Sequence, residues 1–145
     1  MAIELLNHQT IIDYLDAHVG KLKSVSGAAG LAAASADLKQ TPAAFVVPMT
    51  DRAAGNHTGT MSVTQLNTVR FAVIIAVQNL RDPRGEKAQS DLLILRQDIM
   101  NILHGWQPDD PFIPIEYGGG RLLRMSNQVL WWQDEFLTSH FIRSA

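Results

Sequence analysis

Five histidines, His8, His18, His57, His104 and His140, are the side chains best suited to hold a metal ion or move a proton near neutral pH. Their spacing serves neither task. His8 and His18 are ten positions apart, and no HxxxH or HExxH pattern sets two rings on one helical face where a cation could bridge them. His104 closes a helical pattern, where a partial positive charge is favourable without any catalytic role. Asp109 and Asp110 are adjacent, as are Asp134 and Glu135; on an extended backbone each pair points to opposite sides and cannot flank one scissile bond. Ser26 and Ser35 lack the GxSxG elbow that exposes a nucleophile. Gly27 with Gly30, and the run Gly118 to Gly120, lack the Lys and Ser or Thr that complete a phosphate loop. The chain has no cysteine, which removes thiol nucleophiles, thiolate metal sites and disulfides together and fits a reducing cytoplasm. These residues lead us to expect no catalytic, cofactor-binding or metal site, and no enzyme.

Composition points the same way. A net charge of −2 and a pI near 6.2 argue against wrapping nucleic acid, which needs clustered Lys and Arg. Arg81 with Arg84 and Arg121 with Arg124 form only pairs. Trp131 and Trp132 could stack on bases, but adjacent strand residues face opposite ways and no basic groove lies beside them. One of the two belongs to a core; the other is available as an interface anchor. The hydrophobic fraction is 46% against 18% charged, an apolar balance whose surplus surface an oligomer would hide. Met1 to Leu15 carries Glu4 and Asp13 and has no signal-peptide pattern. Phe71 to Val77 is too short to span a bilayer, so a soluble, intracellular protein with no membrane partner is expected.

The elements that position these residues follow from periodicity. Ile11, Ile12, Leu15 and Val19 recur at helical spacing between Thr10, an apparent cap, and Gly20, an apparent terminator. Leu22 to Ala28 reads as a strand and the alanine-rich Leu31 to Leu38 as a helix. Ala43 to Val47 forms a strand that Pro48 ends or pushes to an edge. Thr50 to Thr60, with Asp51, Gly55, Asn56 and Gly59, reads as a loop. In Val69 to Val77, residues Val69, Phe71, Val73, Ile75 and Val77 share a core face, and Arg70, Ala72, Ile74, Ala76 and Gln78 a second face covered by a helix or a neighbouring subunit.

Asp82 and Pro83 then punctuate a helix from Glu86 to Leu103, with the stripe Ala88, Leu92, Leu95, Ile99 and Ile102 widened by Leu93, Ile94 and Met100. That arc is broader than one sheet face requires. Gly105 suits the left-handed conformation past the helix end, with Trp106 folding back over the last turn. Phe112 to Ile142 is β-like: a glycine turn at Gly118 to Gly120, a hairpin of Leu122–Met125 with Val129–Trp132 about Ser126 and Asn127, and a last strand around Phe136 to Ile142. By themselves these patterns reach a soluble α+β domain that associates.

The short N-terminal helix, the strand with Phe45 and Val47, the loop, the long strand, and the long helix ending in Leu103, His104, Gly105 and Trp106 are followed by a glycine-rich β region with Trp132, Gln133, Asp134, Glu135 and Phe136. This order resembles the tail terminator proteins of long-tailed bacteriophages over nearly the whole chain. The resemblance implies a small α+β domain, a mostly antiparallel sheet flanked by two or three helices, in one domain spanning 1–145. It implies a ring, commonly a hexamer, at the head-proximal end of the virion's tail tube, assembled in the bacterial host cytoplasm. Such a ring halts tube growth and meets the head-tail connector and, in a contractile tail, the sheath protein. The family offers no catalytic residues to carry over. The interface expected here is the Thr50 to Met61 loop with Arg52 and His57, together with Trp131, Gln133, Glu135 and Phe141. Two alternatives stand beside it: a minor tail or head-closure protein, and a small ligand-binding or enzymatic domain with a pocket lined by His104, Asp109 and Arg124.

Overall fold

The computed structural model describes residues 3–78, 86–126 and 128–144. In chain order it contains α1 (His8–His18), β1 (Ser24–Ser26), α2 (Ala28–Ala36), β2 (Ala43–Ala53), β3 (Thr64–Gln78), α3 (Glu86–Leu103), β4 (Glu116–Ser126) and β5 (Val129–Arg143). The strands form one sheet in the order β1-β2-β3-β5-β4, antiparallel apart from the short β1–β2 pair. This is the α+β architecture expected, a mostly antiparallel sheet with helices on its faces.

The alternation in β3 sets the layers. Phe71, Val73, Ile75 and Val77 face α1 and α3 and pack with Ile11, Leu15, Ala88, Leu92, Leu95, Ile99 and Leu103. Ala72, Ile74 and Ala76 face the other way, into a smaller core with Phe45 and Trp131 that Leu31, Ala34 and Leu38 cover from α2 and its end. A helix therefore covers the second face, but only at one end. In α3 the buried stripe ends in Leu103 rather than Ile102, which is half-buried, while Leu93 and Ile94 stay in solvent.

Several local expectations change. The cap of α1 is Asn7, whose side chain accepts a hydrogen bond from the Gln9 N–H, and the helix stops at His18 one residue before Val19, short of Gly20. Pro48 does not end β2. Past Phe45 no strand among the described residues pairs the outer side of β2, so a residue without an N–H is tolerated, and a register shift between Pro48 and Thr50 absorbs the irregularity. Thr50 to Ala53 are strand, leaving a connection that Asn56 organises by accepting from the Thr58 and Thr64 N–H groups and donating to the Ser62 carbonyl.

Gly118 to Gly120 lie inside β4, not in a turn. A side chain on Gly118 would meet Arg70 and Leu137, and one on Gly120 would meet Asp134 and Tyr117, so close approach of neighbours selects glycine there. Gly105 does take the left-handed region, at φ 83°. Trp106 donates its backbone N–H to the Leu103 carbonyl and stacks on Tyr14 of α1, ring centroids 3.8 Å apart, so it ties the end of α3 to α1. β4 and β5 make the expected hairpin. β5 is one continuous strand, paired with β3 from Thr64↔Arg143 to Gln78↔Val129. Asp82, Pro83, Arg81, Arg84 and Asn127 lie outside the described residues.

Candidate interaction surface

The histidines scatter. His8 sits half-buried, edge-on to Phe71, with its Nε2 buried and unpartnered among the described residues. His18 Nδ1 lies 2.8 Å from the Tyr14 carbonyl, and His57 meets Phe141 edge-on. His140 is buried, 3.0 Å from Asn67 Nδ2 and tilted on Phe112. Burial holds both His8 and His140 below the usual histidine pKa, with Asp51 pulling weakly the other way. Among the described residues no three of His, Asp and Glu converge as a metal site. Two open clefts, of about 450 Å³ beneath α2 against Phe45 and about 300 Å³ between Pro42 and Ile94, include none of His104, Asp109 and Arg124.

The densest polar cluster ties α3 to the sheet. Asp134, only 1% exposed, accepts from Arg96 Nε and Nη2 at 3.0 Å each, from the Tyr117 hydroxyl at 3.0 Å and from Trp132 Nε1 at 2.9 Å. The Arg96 guanidinium also lies 4.4 Å over the Trp132 ring. Its hydrogen bond to Asp134 raises its pKa, and burial, then the same carboxylate, raises that of Tyr117. Three side chains on α3, β4 and β5 supply four donors to one carboxylate, which fixes helix to strands.

The six residues expected at an interface all lie on the α2 side of the sheet or at the hairpin end. Arg52 and His57 are exposed, and Phe141 is 42% exposed. Glu135 is half-buried and accepts from Arg70 Nη1 at 3.0 Å. Trp131 and Gln133 are placed beneath the surface of the single chain: Trp131 is 4% exposed, between Phe45 and the Arg124 guanidinium, and Gln133 donates to Glu135. Missed by sequence reasoning were Leu122, Leu123 and Met125 on β4, which stand in solvent with Tyr117 at the open end of the sheet. The apolar run itself is visible in the sequence, but its exposure follows from β4 standing last in the sheet order, which no spacing along the chain reveals.

Apolar side chains left in solvent at a sheet edge and a hairpin end are the anatomy expected of a subunit that assembles. Over residues 1–145 the chain matches the family model described as phage tail terminator protein, and it belongs to that family. It is therefore a structural component of a phage tail. Comparison with curated proteins gives no match.

Proposed function

We propose that copies of this chain, one domain across 1–145, close into a hexameric ring that caps the head-proximal end of the tail tube. One rim matches the tube protein; the other offers no template for a further tube ring, so polymerisation stops, and it receives the head-tail connector instead. In a contractile tail the ring also meets the sheath. Growth ends through mismatch of surfaces, with no catalytic step. The family match over the whole chain carries this reading. The uncovered side chains of Arg52, His57 and Phe141 supply rim contacts, while Trp131, Gln133 and Glu135 hold the strand that presents Phe141.

Electron microscopy of tail tubes polymerised with and without the purified protein tests it. Rings of six at one tube end, with growth arrested, are the expected result. A protein that stays monomeric at high concentration and leaves tube length unchanged overturns the reading.

A further inference from the structure

We propose that the open edge of β4 takes residues Ile3–Leu5 of a second copy as an added strand. The inference rests on the ring reading and specifies how neighbouring subunits join.

β4 ends the sheet, so among the described residues one side of its backbone has no strand to pair with. Its two faces differ. Tyr117, Leu122 and Met125 stand opposite Phe136, Trp132 and Leu130, on the α1 and α3 side, and all three are exposed. Arg121 and Arg124 stand opposite Gln133 and Trp131, on the other side, and neither meets a carboxylate among the described residues. An incoming strand must therefore be apolar on one face and acidic on the other.

The segment before α1 has that pattern. Ile3 is 53% and Leu5 64% exposed, with Glu4 between them. These residues belong to no helix or strand, make no backbone hydrogen bond among the described residues, and Glu4 has no ion pair there. Alternation along an extended chain puts Ile3 and Leu5 on one face, over Leu122 and Met125, and Glu4 on the opposite face, beside Arg121 and Arg124. Leu6 packs against the main core and anchors the root of the arm.

A second copy, not the same chain, supplies the arm. α1 packs over β1 and β2, at the far side of the sheet from β4, and in the structure the arm leaves its own β4 uncovered. Donor and acceptor thus sit toward opposite edges of one subunit, the arrangement of a head-to-tail contact that closes a ring.

The cysteine-free chain makes the test direct. Chains carrying Leu5→Cys are mixed with equal amounts of chains carrying Leu122→Cys or Met125→Cys under mild oxidation. Cross-strand neighbours have the Cβ separation a disulfide accepts, so heterodimers should exceed either homodimer by roughly tenfold in at least one mixture. Heterodimers no more abundant than homodimers in both mixtures overturn the proposal. As an independent arm, Glu4→Arg should raise the concentration needed for assembly roughly tenfold, by loss of attraction and gain of repulsion. Adding Arg121→Glu or Arg124→Glu should recover it; failure of both to recover it also counts against the pairing. Wild-type rings without heterodimers remove the strand addition and leave the ring, whereas heterodimers from a protein that never forms rings remove the ring reading alone.

Discussion

Replacing Arg96 with methionine keeps the apolar stem of the side chain and deletes both donors to Asp134. The carboxylate, 1% exposed, would retain only the Tyr117 hydroxyl and the Trp132 N–H. Removing one partner of a buried ion pair costs about 3–5 kcal/mol, because the other charge is left uncompensated. Arg96 is itself 27% exposed, so water reaches the vacated position and the low end, about 3 kcal/mol, applies. At roughly 2.1 cal/mol/K per residue, a chain of this length loses about 10 °C in Tm. Urea unfolding at pH 7, at a protein concentration where the chain is dissociated, measures the change. R96M should be corrected in part by Asp134→Asn, whose amide oxygen still accepts from Tyr117 and Trp132. The double-mutant cycle should return a coupling of about 2 kcal/mol. An R96M loss under about 0.5 kcal/mol, or strict additivity of the two substitutions, would refute the assignment of this cluster as the tie between α3 and the sheet.

Acidification should weaken the fold before the carboxylates titrate. Burial holds the His8 and His140 pKa values below 6.5, so the unfolded chain binds more protons as pH falls past 6.5. Stability is complete above that value and declines below it; urea midpoints at pH 7.5 and 5.5 should show the loss, and equal midpoints would contradict it. His140→Gln should reduce the slope. Gly120→Ala pushes a methyl group into Asp134 and Tyr117 and should cost about 1–3 kcal/mol by overpacking; an unchanged Tm would show that the approach is not close. Asn7→Ala should cost about 1 kcal/mol as a lost helix cap while Thr10→Ala stays near neutral, and thermal melts giving the reverse order would return the cap to Thr10.

The legible parts of the chain were those whose burial is set by neighbours in sequence. β3 announced both faces because Val69, Phe71, Val73, Ile75 and Val77 are large and apolar while the intervening Ala72, Ile74 and Ala76 are apolar but mostly small, and α3 announced its length because Ala88, Leu92, Leu95 and Ile99 recur every three or four residues. What failed was governed by distant contacts. Gly118 to Gly120 read as a turn because glycine is free to turn, yet Arg70, Leu137 and Asp134 approach too closely for a side chain and keep the run in a strand. Thr50 to Ala53 read as loop because Asp51 is a poor strand former, and pairing with Asn67 to Arg70 overrode that preference. Asp134 looked like half of an adjacent carboxylate pair; its partners Arg96 and Tyr117 lie on α3 and β4, which spacing along the chain does not reveal. The exposure of Arg52 and His57 was legible, whereas that of the apolar edge at Leu122 to Met125 was not, since it depends on β4 having no outer neighbour among the described residues.

Where the sheet is regular and where it is not bears on assembly. The β3–β5 ladder runs fifteen residues without a register shift, about 50 Å at ~3.3 Å per residue, and forms a stiff spine. Shifts are confined to its flanking partners, between Pro48 and Thr50 in β2 and between Tyr117 and Gly119 and between Leu122 and Arg124 in β4. Bulges increase local twist and let an edge re-aim its side chains without disturbing the strands behind it. A subunit in a ring needs both properties: a spine that fixes the distance from the hairpin end to the rest of the body, and edges that can adjust to the angle between neighbours. The two register shifts in β4 fall beside the apolar residues that the proposed incoming strand would meet, so in the proposed ring the irregularity would sit where curvature between subunits is absorbed.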